Sequence, residues 1–310
     1  MENYLTGAVI GEGAYGTVYK ATCGKTGKEF ALKLHKHGLE DATVRELSCL
    51  TALQGHPYVI QMHECFIHNG KMAMLMSYAP YTLSNVIHTG HLLGCTQVRA
   101  LPLSFVARFS VQVAEALSHM HRLNLVHRDL TPFNVLLTED LTVQVADMGL
   151  SRHSCKWMST PVVTEVYRAP ELFVKGGLSE YTCSIDMWSL GVMIVEAMEG
   201  KVVFANPGMF TYEIIVRTLC PQSDALGWTP CDPNTIMSKV MECALVKRIV
   251  FQLLAFRENE RLLAHELLKD TEWTEAAYMT KADKDLVRDR IDRKRVDKKE
   301  TSNSVNVINH

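Results

Sequence analysis

The 310-residue sequence lacks any apolar run approaching the ~20 residues that span a bilayer; stretches such as LGVMIVEAM stop far short. Its start, MENYLTGAVIGEG, reaches acids and glycines before any apolar stretch of signal-peptide length. Charge of one sign is lacking too. With 32 Lys and Arg against 34 Asp and Glu, the formal net charge of -2 is too weak a field to draw in nucleic acid or an anionic membrane. The nine cysteines are scattered, odd in number and never in Cys-x-x-Cys spacing, so neither a disulfide framework nor a zinc site is suggested. These absences point to a soluble protein of the cytosol or nucleus whose partners are met at local sites. What is present, 47% hydrophobic and 21% charged residues, suffices for one large core or two lobes sharing an interface.

Residues 1–79 alternate in short runs with turn signals between them: TGAVIGEG, GTVYKATC, EFALKLH, VIQMHECFI and KMAMLMSY. This is the pattern of a small antiparallel sheet. Between them EDATVRELSCLTAL changes to a helical period, with Val44, Leu47, Leu50 and Leu53 on one side and Glu40 and Asp41 suited to its start. Residues 80–275 are mainly helical. SFVARFSVQVAEALSHMHRLN carries a broad apolar stripe, and SIDMWSLGVMIVEAM, NTIMSKVMECALVKRIVFQLL and LLAHELL predict further helices. Residues 276–310, charged and without steady apolar period, are expected to be a solvated, disordered tail. The fold class expected is α+β.

Chemistry is signalled by an ordered series. IGEGAYGTV places Gly11, Gly13 and Gly16 in Gly-x-Gly-x-x-Gly spacing between two strands, where bare backbone can approach phosphate oxygens. By itself this reads equally well as a plain hairpin. Lys33 follows on an apolar strand, and Glu46 on the next helix could pair with it, near solvent. In HRDLTPFN, Asp129 would take the proton of an incoming hydroxyl and Asn134 would hold a metal ion, with Asp147 of ADMG as the second ligand. Two oxygen side chains suit Mg2+, which keeps waters and borrows nucleotide phosphates as ligands. VYRAPEL follows with Ala169, Pro170 and Glu171, and SIDMWSLG puts Asp186 at the head of a long apolar helix.

From about residue 4 to 274 the sequence resembles the eukaryotic protein kinases, and within them most closely the cyclin-dependent kinases. GEGAYGTVYKA, DATVRELSCL, VVTEVYRAPEL and NPGMFTYEIIVRTLCPQ carry that resemblance. It implies a two-lobed fold, an N-terminal antiparallel sheet with one regulatory helix and a mainly helical C-terminal lobe. It further implies ATP and Mg2+ as cofactors, transfer of the γ-phosphate to Ser or Thr of protein substrates, and a cyclin or cyclin-like subunit as partner. The ATP-binding positions implied are Ile10, Gly11, Glu12, Gly13, Ala14, Tyr15, Gly16, Thr17, Val18, Ala31, Lys33 and Leu136, with Met76 as gatekeeper and Ser77 to Ala79 as hinge. Arg261 would be the buried partner of Glu171. Ser159 or Thr160 would be the activating phosphosite, gathered by Arg45, Arg128 and Arg152, and Tyr15 an inhibitory phosphosite beside Ala14. Val163 and Arg168 would favour proline after the target hydroxyl, and Glu165 basic residues further along the peptide.

Three positions depart from the family pattern. Thr131 stands where Ser/Thr kinases place a lysine against the migrating phosphate, Met148 replaces the phenylalanine of Asp-Phe-Gly, and Glu165-Val166 replace Leu-Trp. Met148 can fill a phenylalanine's slot beside Leu50 and His127. Losing one charged donor at Thr131 should cost roughly 10²–10³ in turnover. A slow or specialised kinase is therefore expected, with a pseudokinase or nucleotide-binding scaffold as the alternative.

Overall fold

In the computed structural model, residues 4–13, 16–36, 40–88, 100–153, 158–159, 165–173, 178–179, 182–206, 208–220 and 227–305 are described, with side chains omitted at 152–153, 158–159, 178–179 and after 293. Five antiparallel strands form the N-terminal sheet: β1 (Tyr4–Glu12), β2 (Gly16–Cys23), β3 (Glu29–His35), β4 (Met62–His68) and β5 (Lys71–Ser77), in the order β1-β2-β3-β5-β4. Side chains alternate between two faces along a strand, and both faces are used. Phe30, Leu32, Ala73 and Leu75 join a small outer cluster, whereas Ala31, Met72, Met74 and Met76 belong to the main core.

Helix α1 (Asp41–Ala52) lies between β3 and β4. Its buried face is Ala42, Thr43, Glu46, Cys49 and Leu50; of the apolar side counted from sequence, Leu50 and Leu53 are buried and Leu47 packs against the core, while Val44 is 47% exposed. Two polar residues, Thr43 and Glu46, take the inward positions because the site needs them there. The short strand β6 (Tyr81–Thr82) and helix α2 (Leu83–Ile87) lead into the helical lobe, whose axis is α3 (Leu103–Arg122). Phe105, Val106, Phe109, Val113, Leu117 and Met120 of α3 are buried, as its apolar stripe predicts.

After α3 come β7 (Leu125–Val126), β8 (Val135–Leu137), β9 (Val143–Val145), β10 (Arg152–His153), β11 (Met158–Ser159) and β12 (Leu178–Ser179). β9 joins the lobes: Val145 N–H donates to Tyr58 O at 2.8 Å and Ile60 N–H to Val145 O at 2.9 Å. Helix α4 (Ser184–Glu199) is apolar around nearly its whole circumference and is buried accordingly. The single helix expected over 234–254 is three, α6 (Pro233–Ile236), α7 (Ser238–Glu242) and α8 (Ala244–Leu253), preceded by α5 (Thr211–Leu219). Met237 and Cys243 leave the helical region between them.

Beyond α9 (Ala264–Leu267) and α10 (Thr271–Ala276), the expectation of a disordered tail is corrected. Residues Lys281–Val305 form α11. Val287 and Ile291 are buried and the helix packs against α2 and α3. Arg290 donates to Ile87 O at 3.2 Å and Arg288 to Glu139 O at 3.3 Å. Two apolar residues a turn apart were too few to show as a period among so many charges. Among the described residues no helix is long and apolar enough to cross a membrane.

Candidate active site

The strand register builds one wall of the cleft. Lys33 of β3 lies opposite Val18 of β2 and Met74 of β5, and Ala31 lies opposite Met76. Directly opposed residues share a face, so Val18, Ala31, Lys33, Met74 and Met76 look the same way, toward α1 and the helical lobe. Lys33 Nζ reaches Glu46 Oε1 at 2.6 Å and Oε2 at 2.8 Å, and Asp147 Oδ1 at 3.6 Å. The Glu46 side chain is only 3% exposed, which corrects the expectation that it stands near solvent. Burial works against the Lys33 charge, yet the charges of Glu46 and Asp147 outweigh it and raise its pKa; burial pushes Glu46 up against the pull of Lys33.

Of the glycine loop, Gly16 is required by packing, because a Cβ there would lie 2.5 Å from Leu34 O. Among the described residues a Cβ at Gly13 would meet nothing within 4 Å and one at Gly11 only the Val18 side chain, from 3.7 Å, so no described residue covers these two. Ile10 and Glu12 at the strand end are exposed, Gly11, Thr17, Val18, Ser77, Ala79 and Leu136 half-buried, Ala31 and Met76 buried. Ala14 and Tyr15 lie outside the described residues.

Opposite this wall, Asn134 Nδ2 donates to Asp129 O at 2.8 Å and to Asp129 Oδ2 at 3.0 Å. With its amide hydrogens turned to Asp129, the Asn134 carbonyl oxygen is left for a cation. Asp147 Oδ1 is buried with no hydrogen-bond partner. A carboxylate oxygen that Lys33 approaches only at ion-pair distance, and a free amide oxygen, fit a magnesium ion that takes its other ligands from phosphate and water. Among the described residues no group of three or more His, Cys, Asp or Glu forms a self-sufficient metal site. Burial pushes Asp129 up to about 6, with Asp147 adding to the effect and His127 and Asn134 opposing it. A base poised near ambient pH is the kind that both takes and releases a proton readily.

The loop is held by residues that local pattern could not reveal. Asp186, fully buried at the start of α4, accepts from the backbone N–H of His127 and of Arg128, each at 2.9 Å, and pairs with His121 Nε2 at 3.0 Å. These bonds hold the backbone where Arg128 has φ 72°, a left-handed value that non-glycine residues adopt at a cost; Asp147, with φ 62°, is left-handed too. His127 Nε2 lies 3.0 Å from Ala146 O, tying the loop to the approach to Asp147. The only sequence sign of this arrangement was Asp186 at a helix start. Thr131 is buried, its carbonyl accepting from Asn134 N–H at 3.0 Å, while Phe133 beside it is 61% exposed. Met148 is fully buried, with Ser151 Oγ 3.5 Å from its sulfur.

Between Asp147 and Ala169, Ser159 is described by its backbone alone, which pairs with Leu178; Thr160 and Val163 lie outside the described residues. Arg152 pairs through its backbone with Val126, two residues before Arg128, and Arg128 Nη1 donates to Leu150 O at 3.3 Å. Arg45 on α1 is half-buried, and no contact among the three arginines is described. Glu165 is exposed; Arg168 lies over the Phe173 ring at 5.3 Å. Arg261, buried, grips Glu171 with two bonds of 2.7 and 3.0 Å and lies over Trp188.

A lysine tied to a helix glutamate, facing a carboxylate base and two oxygen ligands across an interlobe cleft, defines a site for moving a phosphoryl group. The sequence of residues 4–273 matches the protein kinase domain, and the chain belongs to that family. It is 35% identical over 206 residues to a cell division control protein 2 homolog 3 of Trypanosoma brucei brucei, 63% of this chain and 62% of that protein. It is 34% identical over 203 residues to cyclin-dependent kinase 2 of Caenorhabditis elegans, covering 63% and 53%, and 28% identical over 281 residues to cyclin-dependent kinase 20 of Danio rerio, covering 87% and 75%. The matched stretch thus spans little more than half the length of two of these relatives. Among protein kinases the chain is most similar to the cyclin-dependent group.

Proposed function

We propose that the chain is an ATP-dependent Ser/Thr protein kinase of the cyclin-dependent type. ATP supplies the γ-phosphoryl group and magnesium offsets its charge. Lys33, oriented by Glu46, holds the α- and β-phosphates; Asp147 and the Asn134 oxygen hold the metal; Asp129 accepts the proton of the attacking hydroxyl. The observation that carries this reading is the joint presence of the 2.6 Å Lys33–Glu46 pair and the Asn134-anchored Asp129 in one cleft. With radiolabelled ATP and a protein substrate, wild type should label and Asp129→Asn should not. Equal labelling by both would leave the scaffold reading standing.

Thr131 supports a slow enzyme. The residue is 4% exposed, while Phe133 two positions on is 61% exposed, so the loop meets solvent close by. Thr131→Lys is expected to raise kcat with little change in the KM for ATP, because the added charge acts mainly in the transition state. A flat or lower rate would mean that another donor already serves.

The names of relatives such as cyclin-dependent kinase 2 support a cyclin-like partner, for which the outer side of α1, with Val44 exposed, offers a surface. Copurification of a cyclin from the source cell tests this. For substrates we propose Ser-Pro or Thr-Pro sites with basic residues downstream. A substrate residue other than proline would bury an unpaired N–H at roughly 1–3 kcal/mol, and Glu165 is exposed to meet a cation. In a peptide library alanine should serve far worse than proline after the target; equal use defeats the first part, and an unchanged preference in Glu165→Leu the second. Seven unpaired cysteines among the described residues support a reducing compartment, cytosol or nucleus.

A further inference from the structure

His35 is a titratable side chain that the mechanism above does not use, and it is 2% exposed. It stands two residues after Lys33 on β3, hence on the same face of the strand. Thr43 and Glu46 stand three residues apart on α1, hence on the same side of the helix. The two pairs meet: His35 Nδ1 is 3.1 Å from Thr43 Oγ1, and His35 Nε2 is 3.7 Å from Glu46 Oε2 with no hydrogen bond of its own.

The charges select the tautomer. Were the ring hydrogen on Nδ1, the Nε2 lone pair would face the Glu46 carboxylate in a buried site, two negative ends together. With the hydrogen on Nε2, its positive end faces Oε2 and Nδ1 accepts from the Thr43 hydroxyl, so both nitrogens are suited. Burial, then the Lys33 charge, hold the ring's pKa down to about 4, the Asp147 charge opposing, so the imidazole is neutral at physiological pH. A leucine of similar size would pack here without any polar cost; the nitrogens call for a role.

Resting on the kinase reading, we propose that His35 is a positioning residue for phosphoryl transfer: with Thr43 it makes a second tie between β3 and α1 that keeps Glu46 on Lys33. Apolar packing seats α1 without direction, and the ion pair fixes it to β3 at one point. Two ties a helical turn apart fix both its distance and its rotation.

The test uses His35→Leu and Thr43→Val in the full chain, the second removing only a hydroxyl and guarding against a folding defect in the first. Each is expected to lower kcat roughly ten- to hundredfold, as a small misplacement of a positioned group does, with KM for ATP within about twofold. The double variant should be no slower than His35→Leu, since the pair acts as a unit. His35→Gln, whose amide can still donate toward Glu46, should recover part of the rate. Wild-type kcat in both single variants, or equal losses in kcat and stability that His35→Gln does not repair, would overturn the positioning role. Independently of activity, imidazole nitrogen NMR at pH 7 should show His35 protonated at Nε2 alone, its Nδ1 signal moving in Thr43→Val. An Nδ1–H tautomer or an imidazolium would overturn the tie. An inactive wild type with the expected nitrogen spectrum would defeat the kinase reading and the positioning role together, while leaving the tie itself in place.

Discussion

Lys33→Met is expected to lower phosphoryl transfer roughly 10²–10³-fold, the scale seen when one preorganised charged donor is lost, and to destabilise the fold as well. The second effect follows from burial. Glu46 would lose its cation while 3% exposed, and breaking a buried pair by removing one partner costs roughly 3–5 kcal/mol because the remaining charge is uncompensated. Glu46 would take up a proton rather than stay ionised, its pKa being raised by burial already. The double variant Lys33→Met with Glu46→Gln should therefore regain much of the stability and none of the activity. Chemical denaturation and a labelling assay read the two effects separately. Labelling at the wild-type rate would sink the assigned role of Lys33, and undiminished stability in the single variant would mean that Glu46 swings out to water.

The other large effect lies at His121. Burial opposes its charge, but its hydrogen bond to Asp186, helped by Cys183, prevails and raises it from 6.5 to about 9. The folded state thus holds a proton that the unfolded chain releases above pH 6.5. The stability this brings is complete below pH 6.5 and is lost as the pH rises through 9, on the order of 3 kcal/mol in all. The unfolding midpoint should fall across that window and the fall should be largely absent in His121→Gln, which keeps a donor but cannot titrate. Because Asp186 also holds the N–H groups of His127 and Arg128, catalysis should weaken over the same range. A flat stability profile from pH 6.5 to 9 in the wild type would show that His121 is neutral in the fold.

Legibility followed sequence distance. The strands could be read because β3 and β5 alternate between two clusters, so each apolar residue marks a face. The succession from Lys33 through Glu46, Asp129 and Asn134 to Asp147 was readable because each sits within a short run of fixed spacing, and the fold brings all five to one cleft. Features made by contacts across the chain were not. The Asp186–His121 pair joins residues 65 apart, and neither residue's neighbours betray the other. On α1 an apolar count found Leu50 and Leu53 but placed Val44 inward and missed Thr43 and Glu46, polar and buried, which share the inward face. The breaks at Met237 and Cys243 fall inside an unbroken apolar period, where backbone angles rather than composition decide.

Helix α11 sets the order in which the molecule can be finished. Its Val287 and Ile291 cover α2 and α3, and Arg290 donates to the carbonyl of Ile87 at the end of α2. During synthesis, domains fold from the N-terminal side as chain emerges. The glycine loop, the lysine strand and the catalytic loop will all have left the ribosome while apolar surface on α2 and α3 is still bare. A nascent chain paused before residue 287 therefore has the residues of its catalytic cleft made while the α2 and α3 surface that Val287 and Ile291 cover is still open to water.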